Sequence, residues 1–415
     1  MKGKNGMNIL LINHYAGSPQ YGMEYRPYYL AREWVRMGHR VVIISASFSH
    51  LRIKQPTVEG NISEEIIDGI KYIWIKAPNY KGNGFKRILN MLTFVSKLVF
   101  LSKKLSSYFK PDLVIASSTY PLDIFPAYLI SRFSKAKLIF EVHDLWPLTP
   151  IELGGLPKWH PFIVIMQIAE DFAYKHADKV ISILPKALDY MVSRGMDANK
   201  FVHIPNGIDT EEWQSSNAQL PEKCKEVIEK LKKEEKFLVG YVGSFGVANA
   251  LNYFIESAIY LKELPVSLIL VGQGPEREKL QKYVELNKLD NVVFLTSIAK
   301  GSIPFLLNEM DALYIGWRKN RLYRYGMSPN KLFDYMMSGK PIIHAVEAGN
   351  DLVKEVGCGI SIPPEDPVAI AEAVKKLLSM APGEREEMGM RGREYVIKNH
   401  DYKVLAQKFL EAIND

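Results

Sequence analysis

Along most of this chain, short aliphatic runs alternate with stretches in which apolar residues recur every three or four positions, the pattern of strands and helices taken in turn. Residues 8–13 read as a buried strand, 17–22 as a loop, 25–37 as a helix with one apolar face and 40–45 as the next strand. That order is a βαβ unit, whose strands lie parallel because the helix carries the chain back across the sheet. Further aliphatic runs at 70–75, 113–117, 138–142 and 179–183 continue the pattern. After Pro205-Asn206-Gly207 the alternation restarts, with strands expected at 237–242, 266–271, 292–295, 312–315 and 341–344. Such a restart predicts two doubly wound, Rossmann-like α/β domains in series, 1–205 and 206–398, rather than one continuous sheet. A last periodic stretch, 402–413, follows a break at Asn399-His400-Asp401.

Composition agrees with that division: 415 residues, 47% of them apolar, are enough to fill two cores. The two cysteines, Cys224 and Cys358, lie far apart and belong to no CxxC or Cys/His cluster, which argues for a reducing compartment and against a structural zinc site. No DxD pair occurs, so that route to a bound divalent metal is closed. The net charge of +7 is unevenly placed: residues 1–205 carry 26 Lys/Arg against 16 Asp/Glu, and the remainder 27 against 30. A basic first half predicts an anionic surface as its neighbour, nucleic acid or membrane headgroups. The membrane is preferred, because the cations are interleaved with long apolar runs. In 85–105, Lys86, Arg87, Lys97, Lys103 and Lys104 punctuate the run as in an interfacial helix, and 159–169 brings Trp159, Phe162, Ile163, Ile165 and Met166 together. Both runs also suit core helices of an α/β domain. Their charge-free pieces, about ten residues long, fall short of the roughly 20 a membrane span needs. The basic start is followed by an apolar run, 9–12, too short for a signal peptide and broken by Asn13 and His14. The expected location is therefore cytoplasmic, peripheral on the membrane, with no nucleic-acid partner.

The strongest chemical signal is 326–341, GMSPNKLFDYMMSGKP. Ser328 as N-cap and Pro329 at the first helical position would leave free N–H groups and the positive end of the helix dipole at Asn330, Lys331 and Leu332, where an anion can sit. Lys331 adds a full charge, and Asp334 one turn on suits the hydroxyls of a ribose. An ordinary capped helix explains the same residues. Each predicted domain also places a glycine loop after its first strand, at 17–22 and at Gly243-Ser244-Phe245-Gly246, the end of a parallel sheet where ligands bind. Neither loop has the GxGxxG or GxxxxGK[ST] spacing, so NAD and P-loop readings lose ground.

The order of glycine loop, HDLWP (143–147), PNGID (205–209), GSFG, VGQGPE (271–276) and SPNKLFDYMMSGKP resembles the retaining glycosyltransferases of family 4, with the GT-B fold, and within them the WbuB-like enzymes of O-antigen, capsule or exopolysaccharide synthesis. The resemblance implies a nucleotide-sugar donor, expected as a UDP-sugar, on the second domain, a glycan or lipid-linked acceptor on the first, and no metal or other cofactor. The segment 399–415 would cross back onto the first domain. Gly243, Ser244, Gly246 and Gln273 would approach the donor diphosphate, Asn330 to Leu332 would donate to it, Asp334 would hold the ribose and Ile298 would lie at the base. Gly22, Glu24 and Arg26 would lie near the acceptor, and His143 and Asp144 near the transferring sugar.

Two departures from the family pattern stand out. The first acid of its E-x7-E motif falls on Gly326, and the basic residue expected after the second glycine loop is Val247. Arg318, Lys319, Arg321 and Arg324 are placed to supply the missing charge, since arginine binds two phosphate oxygens at once. Two rival functions remain in view: a sugar-nucleotide epimerase of similar shape, and a non-catalytic scaffold of a polysaccharide assembly complex.

Overall fold

The computed structural model describes residues 6–82, 84–215 and 218–414. It divides into two compact units, one formed by the chain up to Asn206 together with Tyr402 onward, the other by Gly207–Asp401. The first contains β1 (Asn8–Ile12), β2 (Arg40–Ala46), β3 (Ile62–Ile67), β4 (Ile70–Ile75), β5 (Leu113–Ala116), β6 (Lys137–Val142), β7 (Lys179–Ser182) and β8 (Phe201–His203). They form one sheet in the order β3-β4-β2-β1-β5-β6-β7-β8. Neighbours run parallel except the β3–β4 pair at the edge. Helices cover both faces of a parallel sheet, so β1 and β5 are aliphatic without alternation and almost wholly buried. The edge strand β3, ISEEII, is half polar and was not expected from its sequence.

The C-terminal helix Tyr402–Asn414 belongs to this first unit. It lies against the helix Arg26–Arg36, where Trp34 meets Phe409 edge-on at 5.1 Å and Tyr29 stacks on Tyr402 at 4.9 Å. The Trp34 indole N–H donates to Ala406 O at 3.1 Å, so a fully buried polar group is satisfied across 372 residues of sequence. The preceding helix, Pro382–His400, absorbs two of the three residues expected to break it, and the turn falls at Asp401.

The second unit contains β9 (Phe237–Val242), β10 (Val266–Val271), β11 (Val292–Leu295), β12 (Ala312–Gly316), β13 (Ile342–Ala345) and β14 (Gly359–Ile362). They form an all-parallel sheet in the order β11-β10-β9-β12-β13-β14. In each sheet the sequence-first strand lies in the interior and the order reverses beside it, a switch point that opens a crevice at the strand ends. No described helix is long and apolar enough to cross a membrane.

Candidate active site

In the second unit the site is built at the end of β9. The loop Gly243–Gly246 turns there, and the helix Asn330–Met337, which precedes β13 in the chain, brings Lys331 to it. Gly243 has φ +155°, and a Cβ on it would lie 2.9 Å from Cε and 3.0 Å from Nζ of Lys331. The lysine thus occupies the space that the missing side chain leaves. Its ammonium donates to Tyr241 Oη at 2.8 Å and to Asn249 Oδ1 at 3.3 Å, and it lies 4.1 Å above the Tyr241 ring. Tyr241 and Asn249 both donate to Ser244 O, at 2.7 and 3.0 Å, so one small network fixes the lysine and the loop together. Burial pushes the Lys331 pKa down to about 7, with Asp334 opposing. Burial pushes Asp334 up to about 7, against the pull of Lys300 and Lys331 and with Glu212 adding to the rise. A lysine and a carboxylate on one helix are thereby both brought near neutrality, where an arriving anion can change their charge.

The start of that helix differs from expectation. Its N-cap is Pro329, in extended backbone with φ −76° and ψ 131°, and no side chain caps it. Ser328 therefore lies outside the helix, one residue too early to serve as N-cap. The Leu332 N–H is already taken by Pro329 O at 3.0 Å, which removes it from the donors expected for the diphosphate. The amides of Asn330 and Lys331 have no partner among the described residues.

The loops after β9 and β10 are tied together by Phe245 N–H donating to Gln273 O at 2.8 Å, while the Gln273 side chain is exposed. Ile298, beyond β11, is half-buried against the core. Arg277, not singled out from the sequence, donates to Gly272 O and Leu295 O and lies over Phe245 and Phe294, clipping the ends of β10 and β11. The basic run before the helix is dispersed. Arg318 donates to Val247 O at 3.1 Å and Asn252 Oδ1 at 3.4 Å, bringing a cation to the turn where Val247 stands. Arg324 is exposed and turns to its neighbour, donating to Tyr325 Oη at 2.8 Å and lying 4.6 Å over that ring, so the expected contact with phosphate is not prepared in its side chain. Gly326 is buried with φ +92° and ψ 172°, a backbone region that is essentially glycine's own.

In the first unit the predicted residues gather at the ends of β1, β5 and β6. Gly22 is buried and exchanges backbone hydrogen bonds with Ser18, closing the loop on itself, so its role is to shape the loop and it offers no surface to an acceptor. Glu24, half-buried, holds the other side of that loop by accepting from Gly17 N at 2.8 Å. Arg26 corrects the expectation most clearly. Its side chain is fully enclosed and forms an ion pair with the equally enclosed Glu141 at 2.9 Å, leaving it nothing to present to an acceptor. Glu141 also accepts from the Ser117 hydroxyl at 2.6 Å and lies 3.4 Å from His143 Nε2. His143 is half-buried and Asp144 exposed. Burial disfavours the His143 cation, but the hydrogen bond and charge of Glu141 outweigh it and raise its pKa above the ordinary value. Burial alone would raise Glu141; Arg26, His143 and Ser117 together bring it down to about 2. One signal for Glu141 was legible: a carboxylate inside the aliphatic run KLIFEV is rarely fully buried unless paired.

Two surface features of the same unit bear on the membrane expectation. The helix Phe85–Phe109 buries Met91, Phe94, Val95, Leu98 and Leu105 but exposes Phe85 (76%), Phe100 (87%), Leu89 and Leu92. Lys86, Lys103 and Lys104 are exposed with them. Arg87 instead turns inward to Tyr15 Oη at 3.2 Å, and Lys97 is bound to Asn61 Oδ1 and Lys76 O. The helix Pro161–His176 buries Ile163 and Met166, and exposes Val164, Ile165 and Ile168, with Trp159 before it exposed at 79%.

Two doubly wound sheets in one chain, each switching order beside its first strand, are the arrangement of the GT-B fold. Solved structures of that kind share it across nearly the whole chain. HepE of Anabaena, determined with UDP and glucose, aligns with a TM-score of 0.67 at 16% identity over 99% of this chain and 100% of its own. A glycosyltransferase of Rickettsia africae aligns at 0.70 and 15% identity, over 99% and 98%. The Glycosyltransferase Family 4 model matches residues 21–212, and the model for Glycosyl transferases group 1 matches 236–380. The glycosyl transferase WcaI of Escherichia coli K12, named for colanic acid biosynthesis, is 22% identical over 292 residues, 67% of this chain and 69% of its own. With both halves matched by glycosyltransferase models, the chain is a glycosyltransferase whose first half is similar to family 4, which speaks against the epimerase reading.

Proposed function

We propose that this glycosyltransferase moves a sugar, with retention of configuration and without a metal, from a UDP-sugar to a glycan or lipid-linked acceptor in the building of a bacterial surface polysaccharide. The observation that carries the donor half is Lys331 seated over the bare backbone of Gly243. Breaking the bond between the sugar and the diphosphate leaves negative charge on the phosphate, which calls for cations and oriented N–H groups at the leaving oxygen. Lys331 and the amides of Asn330 and Lys331 would supply them, and Asp334 would bind the ribose. The acceptor hydroxyl forms its new bond to the anomeric carbon from the face the phosphate leaves, and its proton passes to the departing phosphate oxygen. His143 and Asp144 would steady the sugar and orient the acceptor. Support for UDP comes from HepE, solved with UDP and with UDP-glucose, and for polysaccharide synthesis from the name of WcaI. The apolar and basic faces of the helices Phe85–Phe109 and Pro161–His176 support docking of the first unit on an anionic membrane, on its cytoplasmic side.

A thermal-shift screen against UDP, GDP, ADP and CMP with their sugar conjugates tests the reading. Stabilisation by UDP and one of its sugars is expected; stabilisation by another nucleotide alone would overturn the choice of base, and no response to any would overturn the donor site.

A further inference from the structure

The enclosed ion pair of Arg26 and Glu141 is more than packing requires, since two buried charges seldom stabilise a fold better than apolar side chains of the same size. The contacts around it show where the pair leads. All the N–H groups of Arg26 are used: Nε and Nη2 on Glu141 Oε1 at 3.0 and 2.9 Å, Nη2 also on Ile204 O at 3.0 Å, and Nη1 on Pro205 O at 2.6 Å and Asn206 Oδ1 at 3.4 Å. The guanidinium therefore binds the last residues of the first unit, where the chain passes to the second. The other carboxylate oxygen, Oε2, accepts the hydrogen bond that the Ser117 hydroxyl donates. With that proton committed, Ser117 Oγ is left as an acceptor toward His143 Nε2 at 3.0 Å, so Nε2 carries the hydrogen. Nδ1, the opposite edge of the ring, has no hydrogen bond among the described residues.

We propose that Glu141, locked by Arg26, is the positioning residue of His143: through its own oxygen and through Ser117 it fixes the Nε2–H tautomer and leaves Nδ1 as the edge offered to substrate. This rests on the reading that His143 serves the transferring sugar. The charges acting on the ring are few. Glu141 and Glu24 favour its protonation, Arg26 opposes it, Asp123 lies near enough to interact, and Asp144 is its neighbour in sequence. The arrangement joins the segment 204–206 to the imidazole through one guanidinium and one carboxylate.

Histidine NMR of the intact protein, with the His143 resonances assigned by His143→Gln, tests this without donor or acceptor. Glu141→Gln removes the charge that favours the cation, and the His143 midpoint is expected to fall by about one to three pH units. Arg26→Gln removes the charge that chiefly holds the buried Glu141 ionised, so with Glu141 free to protonate the midpoint is expected to fall there too. A fall in both variants follows the charge on Glu141, which a packing role alone does not produce. Should either variant fail to fold, Ser117→Ala leaves the ion pair intact and is expected to weaken the Nε2–H preference, which Glu141 Oε2 at 3.4 Å then supports alone. An unchanged midpoint in Glu141→Gln, or an unchanged tautomer in Ser117→Ala, overturns the proposal. Sugar transfer by His143→Gln at the parent rate would overturn the underlying reading instead, and the titrations would stand apart from it.

Discussion

Lys331 Nζ lies 3.0 Å from the point where a side chain on residue 243 would begin. Glycine and lysine are here two halves of one feature: the absence at 243 makes the seat, and the ammonium fills it. Lys331→Gln is expected to weaken binding of a nucleotide diphosphate about tenfold to a hundredfold, the equivalent of one charge-assisted contact of about 1.5–3 kcal/mol. Calorimetry against UDP measures it, with the melting temperature of the free protein as control; equal affinities would remove the lysine from the donor site.

The same lysine makes binding depend on pH. Burial holds its pKa to about 7 in the free protein, so at pH 8 it is mostly neutral. A diphosphate beside it favours the ammonium and raises that pKa, so binding at pH 8 takes up a proton and affinity falls as pH rises above 7. Asp334, also brought to about 7, is mostly ionised at pH 8. Calorimetry in two buffers of different ionisation enthalpy is expected to show uptake approaching one proton in the parent and little in Lys331→Met. Equal uptake in both would assign the proton elsewhere.

Restoring the family's acid at position 326 is expected to harm the protein. The backbone there, φ +92° and ψ 172°, would strain any side chain by about 1–3 kcal/mol, and the residue is buried. Gly326→Glu should lower the urea midpoint accordingly and gain no donor affinity. A variant of parental stability with tighter donor binding would show that this turn accepts a carboxylate.

Only some cations of the helix Phe85–Phe109 should matter for docking. Lys103→Gln with Lys104→Gln is expected to weaken binding to anionic vesicles about thirtyfold in flotation, taking about 1 kcal/mol for each exposed basic residue near the charged surface. Phe100→Ser should weaken it further. Lys97→Gln serves as the comparison, because that ammonium is held by Asn61 and Lys76. Equal loss on changing Lys97 would mean that net charge alone is read.

The fold class was legible because parallel strands buried on both faces must be largely aliphatic, as β5 is throughout and β1 and β10 are apart from Asn8 and Ser267. The edge strand β3 escaped notice for the same reason in reverse: half exposed, it carries Ser63, Glu64 and Glu65. At the candidate site, Lys331 and Gly243 were readable from glycine and cap patterns, but the direction of a side chain was not. Arg26 and Arg87 look alike in sequence to cations that face a ligand or membrane, and both turn inward because a partner from another element waits for them, Glu141 for one and Tyr15 for the other. Such pairings span 115 and 72 residues, beyond the reach of local pattern.

The bond from Trp34 to Ala406 also sets an order of assembly. The second unit is a continuous stretch of chain and has all its strands once residue 362 has left the ribosome. The first, although begun earlier, keeps Trp34 and Tyr29 uncovered until the final helix is made. In this protein the domain that starts first finishes last, and a nascent chain stopped before residue 402 would carry one completed unit and one open apolar face.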